Sequence, residues 1–78
     1  MNELAYLEKH DQNKNLHRFY RVLIEPDLFG KWVLTREWGR VGQGGGHVAV
    51  KEYETIEDAR QDMEQKVQEK LKRGYRIM

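Results

Sequence analysis

From Arg36 to Gly46 the sequence reads Arg-Glu-Trp-Gly-Arg-Val-Gly-Gln-Gly-Gly-Gly, and this stretch holds five of the chain's seven glycines. Two explanations fit this composition. The glycines could supply the positive φ angles of a long hairpin tip. Alternatively, the backbone approaches a phosphate closely, with Arg40 as a forked hydrogen-bond donor and Trp38 as a flat stacking face. The residues alone leave both explanations open.

The segments on either side of this stretch have the alternating pattern of strands. Lys31 to Glu37 places Trp32 and Leu34 on one side, and His47 to Tyr53 alternates in the same way. Such alternation is typical of half-buried strands in an antiparallel sheet. We therefore expect Trp38 to Gly46 to be a loop that joins these two strands.

Two more strands are predicted upstream. Leu4 to Lys9 alternates loosely and suits a first strand at an edge, whereas Arg18 to Glu25 is rich in aromatic and branched residues and suits a central one. His10 to His17 lies between them and contains the Asn and Asp residues that favour turns, so it is predicted to be a loop. After Pro26, we expect a turn in which Leu28 and Phe29 fold back onto the core.

From Thr55 onward the periodicity is that of a helix. Thr55 is a suitable N-cap with Asp58 three residues later, and Gly74 is a suitable end. We expect the tail after Gly74 to return to the sheet. One apolar stripe runs along the helix, formed by Ile56, Ala59, Met63, Val67 and Leu71. The sequence thus predicts an α+β fold in which a small antiparallel sheet of about four to five strands packs against one C-terminal helix.

Composition narrows the classes of function. With 78 residues the chain suits one domain, residues 1–78, and its net charge of +1 means that any nucleic-acid binding must be local. Cysteine is absent, which is compatible with the cytoplasm, and no apolar run is long enough for a signal peptide or a membrane span. We therefore expect a cytoplasmic protein without a membrane association.

Catalytic and cofactor chemistry is not predicted. The chain has no serine or cysteine nucleophile, and its three histidines, His10, His17 and His47, match no metal-ligand spacing. The glycine-rich stretch lacks the Lys and Ser or Thr of a phosphate-binding loop, and a strand rather than a helix follows it. We expect no enzyme activity, cofactor, metal or small-molecule substrate.

Basic residues concentrate near the glycine-rich stretch. They could line one side of the sheet around Trp38, or they could be ordinary solvent-facing positions of half-buried strands. Periodicity does not decide between these possibilities. The residues concerned are Lys14, Arg18, Arg21, Lys31, Arg36 and Arg40.

The triplet Trp38-Gly39-Arg40, within Arg36 to Gly42, resembles the motif of the WGR domain, which occurs in poly(ADP-ribose) polymerases and as short free-standing bacterial proteins. Other features follow the family pattern in order along nearly the whole chain. They are Asn15 before Arg18-Phe19-Tyr20, the Leu28-Phe29-Gly30 turn before Trp32, Ala59 in the helix, and the ending from Lys70 to Tyr75.

This resemblance implies an accessory module, without activity of its own, that contacts DNA near a break. Carried over, it implies that Trp38 stacks on or packs against a sugar or terminal base and that Arg40 meets a phosphate or a partner carboxylate, with a 5′-phosphate end as one candidate ligand. Gly39 completes the motif, and Lys14, Asn15, Arg18 and Gln43 are positional candidates around it. The chain departs from the polymerase pattern in Gly44-Gly45-Gly46 after Gln43.

Two alternatives remain at this stage. The Trp-Gly-Arg surface could instead dock a protein partner, since Trp and Arg are common anchors of protein interfaces. The triplet could also be structural, with Trp38 in the core and Arg40 capping a carbonyl.

Overall fold

The computed structural model describes residues 3–78, which form a five-stranded antiparallel sheet packed against one helix. The strands are β1 (Glu3–Asp11), β2 (Leu16–Pro26), β3 (Trp32–Arg40), β4 (His47–Tyr53) and β5 (Arg76–Ile77), and helix α1 is Ile56–Lys72. A short 3-10 helix, Gln12–Lys14, connects β1 to β2. The order across the sheet is β4-β3-β2-β1-β5. The predicted α+β fold is confirmed.

The core lies between α1 and one face of the sheet. Strand β2 is central, as predicted, and its alternate residues Tyr20, Val22 and Ile24 are buried because they point toward the helix. The other buried residues come from neighbouring strands, from the helix and from the segment after it. They are Leu7, Leu34, Ala59 and Tyr75.

Helix α1 begins and ends as the sequence predicts. The hydroxyl of Thr55 accepts a hydrogen bond from the Asp58 N–H at 3.2 Å, and Gly74 has a φ of 94° just after the helix. Of the predicted stripe, Ala59 is fully buried, and the other four residues pack against the core. No helix within residues 3–78 is long and apolar enough to cross a membrane.

The β1–β2 hairpin differs from the prediction in two ways. Strand β1 is not at the edge, because β5 pairs with its outer side at Leu7 and Glu8. The predicted loop at residues 10–17 is also shorter, since His10 pairs with His17 inside the ladder. The turn can be this tight because the Asp11 side chain accepts the Asn13 N–H at 3.1 Å.

The prediction that Leu28 and Phe29 fold onto the core is wrong. Their exposed fractions are 95% and 86%. The Asp27 carboxylate accepts the N–H groups of Phe29 and Lys31, both at 2.8 Å, and these bonds fix the turn beyond the end of the sheet. The turn is therefore held by hydrogen bonds from backbone N–H groups to the Asp27 side chain rather than by apolar contacts.

Candidate nucleic-acid interface

The Trp38-Gly39-Arg40 triplet ends strand β3 rather than beginning a loop. Strand β2 still pairs with it, as far as the register pair of Arg18 and Arg40. The prediction of a loop over residues 38–46 is therefore wrong at its start, and the glycine-rich loop covers residues 41–46. Because side chains alternate along a strand, Trp38 and Arg40 lie on the face that carries α1, and Gly39 lies on the other.

Position 39 requires a glycine because a side chain there would be too close to its neighbours. Its φ is not positive, but a Cβ there would lie 3.1 Å from the Cα of Gly46 and 3.4 Å from the Phe19 ring. A Cβ on Gly46 would lie 2.7 Å from the Trp38 carbonyl oxygen. The start of the loop is also tied to β2, since the Val41 N–H donates to the His17 carbonyl at 2.9 Å. The loop thus folds back closely against the end of β3.

Trp38 is partly buried and has aromatic neighbours on both adjacent strands. Its ring centroid is 6.4 Å from that of Tyr20 and 5.7 Å from that of His47. The Arg36 guanidinium carbon lies 5.5 Å from the indole centroid, within cation–π range. The indole therefore packs on the margin of the core while part of it stays open to solvent.

Three cations form a row across the helix-facing side of the sheet. Lys9 of β1, Arg18 of β2 and Arg40 of β3 are successive register partners. Like charges directly opposite each other in a sheet repel. Among residues 3–78 no carboxylate lies within 4.0 Å of these three side chains, since the ion pairs of this region involve other bases. The row is therefore a concentration of uncompensated positive charge.

A cleft of about 650 Å³ opens between this end of the sheet, the β1–β2 turn and the end of α1. Among residues 3–78, no acidic residue lines it. It contains six of the seven residues predicted for the site: Lys14, Asn15, Arg18, Trp38, Gly39 and Arg40. The rest of its lining is Leu16, His17, His47, Lys70 and Tyr75. Gln43 is an exposed loop residue outside the lining, and its N–H donates to the Arg40 carbonyl at 3.3 Å.

The β1–β2 turn presents Lys14 and Asn15 to the cleft. Asn15 has a φ of 48°, a left-handed conformation that Asn tolerates better than most residues. Its N–H donates to the Gln12 carbonyl at 3.1 Å, which closes the short helix. An asparagine at this position therefore sets the direction in which the chain leaves the turn for β2.

Helix α1 contributes Lys70, whose ammonium lies over two aromatic rings. Its distances to the ring centroids of Tyr20 and Tyr75 are 4.9 and 5.4 Å. Burial lowers the pKa of Lys70, and the nearby positive charge of Arg73 lowers it further. The Tyr20 hydroxyl is buried and has no hydrogen-bond partner within the described part of the chain, residues 3–78, and burial raises its pKa. Lys70 thus adds another cation to a side of the sheet already rich in them.

The WGR domain family model matches residues 3–77. This chain belongs to the WGR domain family. The WGR domain is in general a nucleic-acid-binding module. The Trp-Gly-Arg motif of this WGR domain consists of Trp38, Gly39 and Arg40, and all three residues line the cleft.

A curated relative from Sinorhizobium fredii, named as uncharacterized protein y4dW, is 41% identical over 71 residues. The alignment covers 91% of this chain and 34% of the relative, so the chain spans about a third of the relative's length. No solved structure matches the chain.

Sequence reasoning missed Lys70, Tyr75 and His47 as cleft residues. Lys70 enters the sequence analysis only as part of the ending that resembles the family, and no periodicity indicates which strand the helix end reaches. His47 could have been found from the strand pattern, because it opens the strand that pairs with β3. Within residues 3–78 no group of three or more potential ligands gathers in a way that could hold a metal ion.

Proposed function

We propose that this WGR domain, taken as one module over residues 1–78, binds nucleic acid without catalysis, contacting the DNA sugar-phosphate backbone in the cleft and preferring a 5′-phosphate end. The observation that carries the proposal is the uncompensated row of Lys9, Arg18 and Arg40 beside the partly exposed Trp38. A phosphate placed there relieves the repulsion among these side chains, because it pairs with cations that no carboxylate of the described residues neutralises.

Each side chain has a role that suits its chemistry. The guanidinium groups of Arg18 and Arg40 can each donate two parallel hydrogen bonds to phosphate oxygens, whereas Lys14 and Lys70 act as point charges. Trp38 offers a flat apolar surface to a sugar or to a terminal base. In this proposal Gly39 keeps the loop close to β3, Asn15 supplies a polar contact from the turn, and Gln43 contacts backbone that extends past the loop.

The arrangement favours backbone contact over base reading. The apolar stripe of α1 packs against the sheet, so this helix is not free to enter a major groove. Contacts to phosphate and sugar fix position without reading sequence. A terminal phosphate monoester carries about −1.5 to −2 charge, more than an internal diester, and therefore gains more from a cluster of cations.

The test is binding of the chain to short blunt duplexes with and without a 5′ phosphate, at low and near-physiological salt. Arg40→Gln should weaken binding and lower the dependence of log K on log salt by about 0.9, the value for one phosphate contact. Arg21→Gln is the matched control, since Arg21 is also an exposed arginine of the sheet but lies on the other face, paired with Glu37.

Binding that requires Arg40, weakens with salt and favours the phosphorylated end supports the proposal in full. Equal binding to both ends would limit it to backbone contact. No binding at low salt, or equal losses in Arg40→Gln and Arg21→Gln, contradicts it. In that case the Trp38 and Arg40 surface would be tested against protein partners, for which a buried aromatic anchor predicts little dependence on salt.

A further inference from the structure

The sheet face opposite α1 carries a connected series of polar side chains at the β1–β2 end. The Tyr6 hydroxyl donates to Glu8 Oε2 at 2.7 Å, and His10 Nε2 lies 2.8 Å from Glu8 Oε1. His10 Nδ1 in turn lies 2.7 Å from Nδ1 of His17. The proposed nucleic-acid function uses none of the side-chain contacts in this series.

The protonation of this series follows from its acceptors. A carboxylate can only accept, so His10 donates its Nε2–H to Glu8, and a neutral His10 then has its lone pair on Nδ1. His17 must donate its own Nδ1–H to that lone pair, because two unprotonated nitrogens at 2.7 Å would repel. A single proton therefore lies between two imidazole nitrogens that both point at the same position.

Two such nitrogens are arranged as a chelate. At metal–nitrogen distances of about 2.0–2.1 Å, two ligands of one ion lie roughly 2.9–3.4 Å apart. The observed separation of 2.7 Å must open by a few tenths of an ångström, and both rings must tilt, because ring centroids 5.0 Å apart place the two nitrogens on the line between the rings. The His10 side chain is 45% exposed, which leaves space for this tilt, while the register of β1 and β2 holds the two backbones opposite each other.

We propose that His10 and His17 form a two-imidazole site for a divalent transition-metal ion, which takes the place of the proton between their Nδ1 atoms while that proton moves through solvent to Nε2 of His17. Glu8 is a positioning residue: it accepts the Nε2–H of His10 and so directs the other nitrogen to the ion, an arrangement common behind metal-bound histidines. Tyr6 holds the second carboxylate oxygen. Water completes the coordination, because no third protein ligand lies nearby within residues 3–78.

The ligand set indicates which ions bind. Imidazole nitrogen suits Cu²⁺, Ni²⁺ and Zn²⁺, whereas Mg²⁺ and Ca²⁺ require oxygen ligands. Cu²⁺ should bind more tightly than Ni²⁺ or Zn²⁺, following the usual order for such sites. On a helix, the seven-residue separation of the two histidines would place them two turns and about 10 Å apart, too far for one ion, and it matches no zinc-finger spacing. Only their pairing across the hairpin reveals the site.

The experiment is calorimetric titration of the untagged chain with Ni²⁺ and Zn²⁺, with Mg²⁺ as a negative control. His10→Ala and His17→Ala should each weaken binding at least about tenfold, whereas His47→Ala, which removes the third histidine, should leave it unchanged. Glu8→Ala should weaken binding by about 10–100-fold, as for other outer carboxylates. It should also shift the ¹⁵N signals of free His10 from the Nε2–H tautomer toward a mixture, which a purely structural role would not do.

A second measurement does not depend on any variant. Paramagnetic Ni²⁺ added to the wild-type chain should broaden amide signals around His10 and His17 before those of β4. Absence of Ni²⁺ and Zn²⁺ binding up to millimolar concentration, or broadening centred elsewhere, would overturn the site.

Discussion

Arg18 and Arg40 lie directly opposite each other on β2 and β3, on the face that carries α1, and no carboxylate of residues 3–78 neutralises either one. Opposed like charges in a sheet cost stability. Proteins retain such an arrangement at binding sites, where the repulsion lowers the stability of the free protein but strengthens the binding of a ligand of opposite charge. Under the proposed function, the pair therefore links the stability of this domain to binding of an anionic ligand.

The first prediction concerns the free domain. Arg40→Gln should raise the free energy of unfolding by about 0.2–1 kcal/mol at low salt, because it removes the repulsion with Arg18. The gain should shrink as salt screens the charges. Denaturant titration at two salt concentrations measures it. Arg21→Gln should give no such gain, since Arg21 pairs with Glu37, and a loss of stability in Arg40→Gln at low salt would contradict the repulsion.

The second prediction uses the lowered pKa of Lys70. Burial brings this pKa below the ordinary value of 10.5, so Lys70 loses its proton at a lower pH than an exposed lysine. A phosphate ligand needs the charged form, and we therefore expect affinity for duplex DNA to fall as the pH rises toward 10.5. Lys70→Arg keeps its charge throughout this range and should make that fall shallower, while the other lysines of the site, Lys9 and Lys14, are unchanged. Binding isotherms across the alkaline range test this, and identical pH profiles for the two proteins would exclude Lys70 from the contact.

The third prediction separates the glycines of the loop. Gly46→Ala should lower the free energy of unfolding by about 1–3 kcal/mol, the usual cost of overpacking, because its Cβ would lie 2.7 Å from the Trp38 carbonyl oxygen. Gly39→Ala meets its neighbours at 3.1 Å and should cost less. Gly44→Ala is the matched control: nothing lies within 4 Å of its added Cβ and its φ is not positive, so stability should change by no more than about 0.5 kcal/mol. Thermal unfolding of the three variants measures the order of their losses in stability. Equal losses in all three would contradict the prediction.

The fourth prediction concerns alkaline pH. Burial and a hydrogen bond to Asp62 raise the pKa of Tyr53 to about 12, from the ordinary value of 10.0. The folded state therefore holds a proton that the unfolded chain releases between these values, so stability should be undiminished below pH 10 and should fall as the pH rises toward 12. Tyr53→Phe should flatten the decline. Asp62→Asn should flatten it in part, since burial remains.

These two variants are compared with the wild type by denaturant titration at intervals from neutral to alkaline pH. The other tyrosines whose pKa is raised, Tyr6 and Tyr20, remain in all three proteins and supply a common background. A decline as steep in Tyr53→Phe as in the wild type would show that Tyr53 is not its source.

The sequence predicts the periodic elements of the fold well, because burial of one face leaves a regular trace. The stripe from Ile56 to Leu71 and the strand from Arg18 to Glu25 are of this kind. Turns are predicted less well, since their geometry depends on single hydrogen bonds. Asp27 shows this: its carboxylate fixes a turn that leaves Leu28 and Phe29 in solvent, although their apolar character alone predicts burial.

Some residues of the candidate site can be predicted from the sequence, and others cannot. Trp38, Arg40 and Arg18 can be selected from residue type and proximity in sequence. The register that places Lys9 and Arg18 in one row with Arg40 depends on where each strand is paired, and the contribution of Lys70 depends on where the helix docks. The pairing of His10 with His17 also depends on the register of the strands. The sequence does not predict it, because the predicted loop contains both residues.

The strand order determines the order in which the parts of the cleft assemble during folding. Strands β1 to β4 form a meander in which each pairs with its predecessor, so these contacts are local and can form early. Lys70 and Tyr75, which wall the cleft, belong to the segment that is synthesised after the meander. The cleft is therefore complete only after α1 has packed against the meander and brought Lys70 and Tyr75 to the end of the sheet.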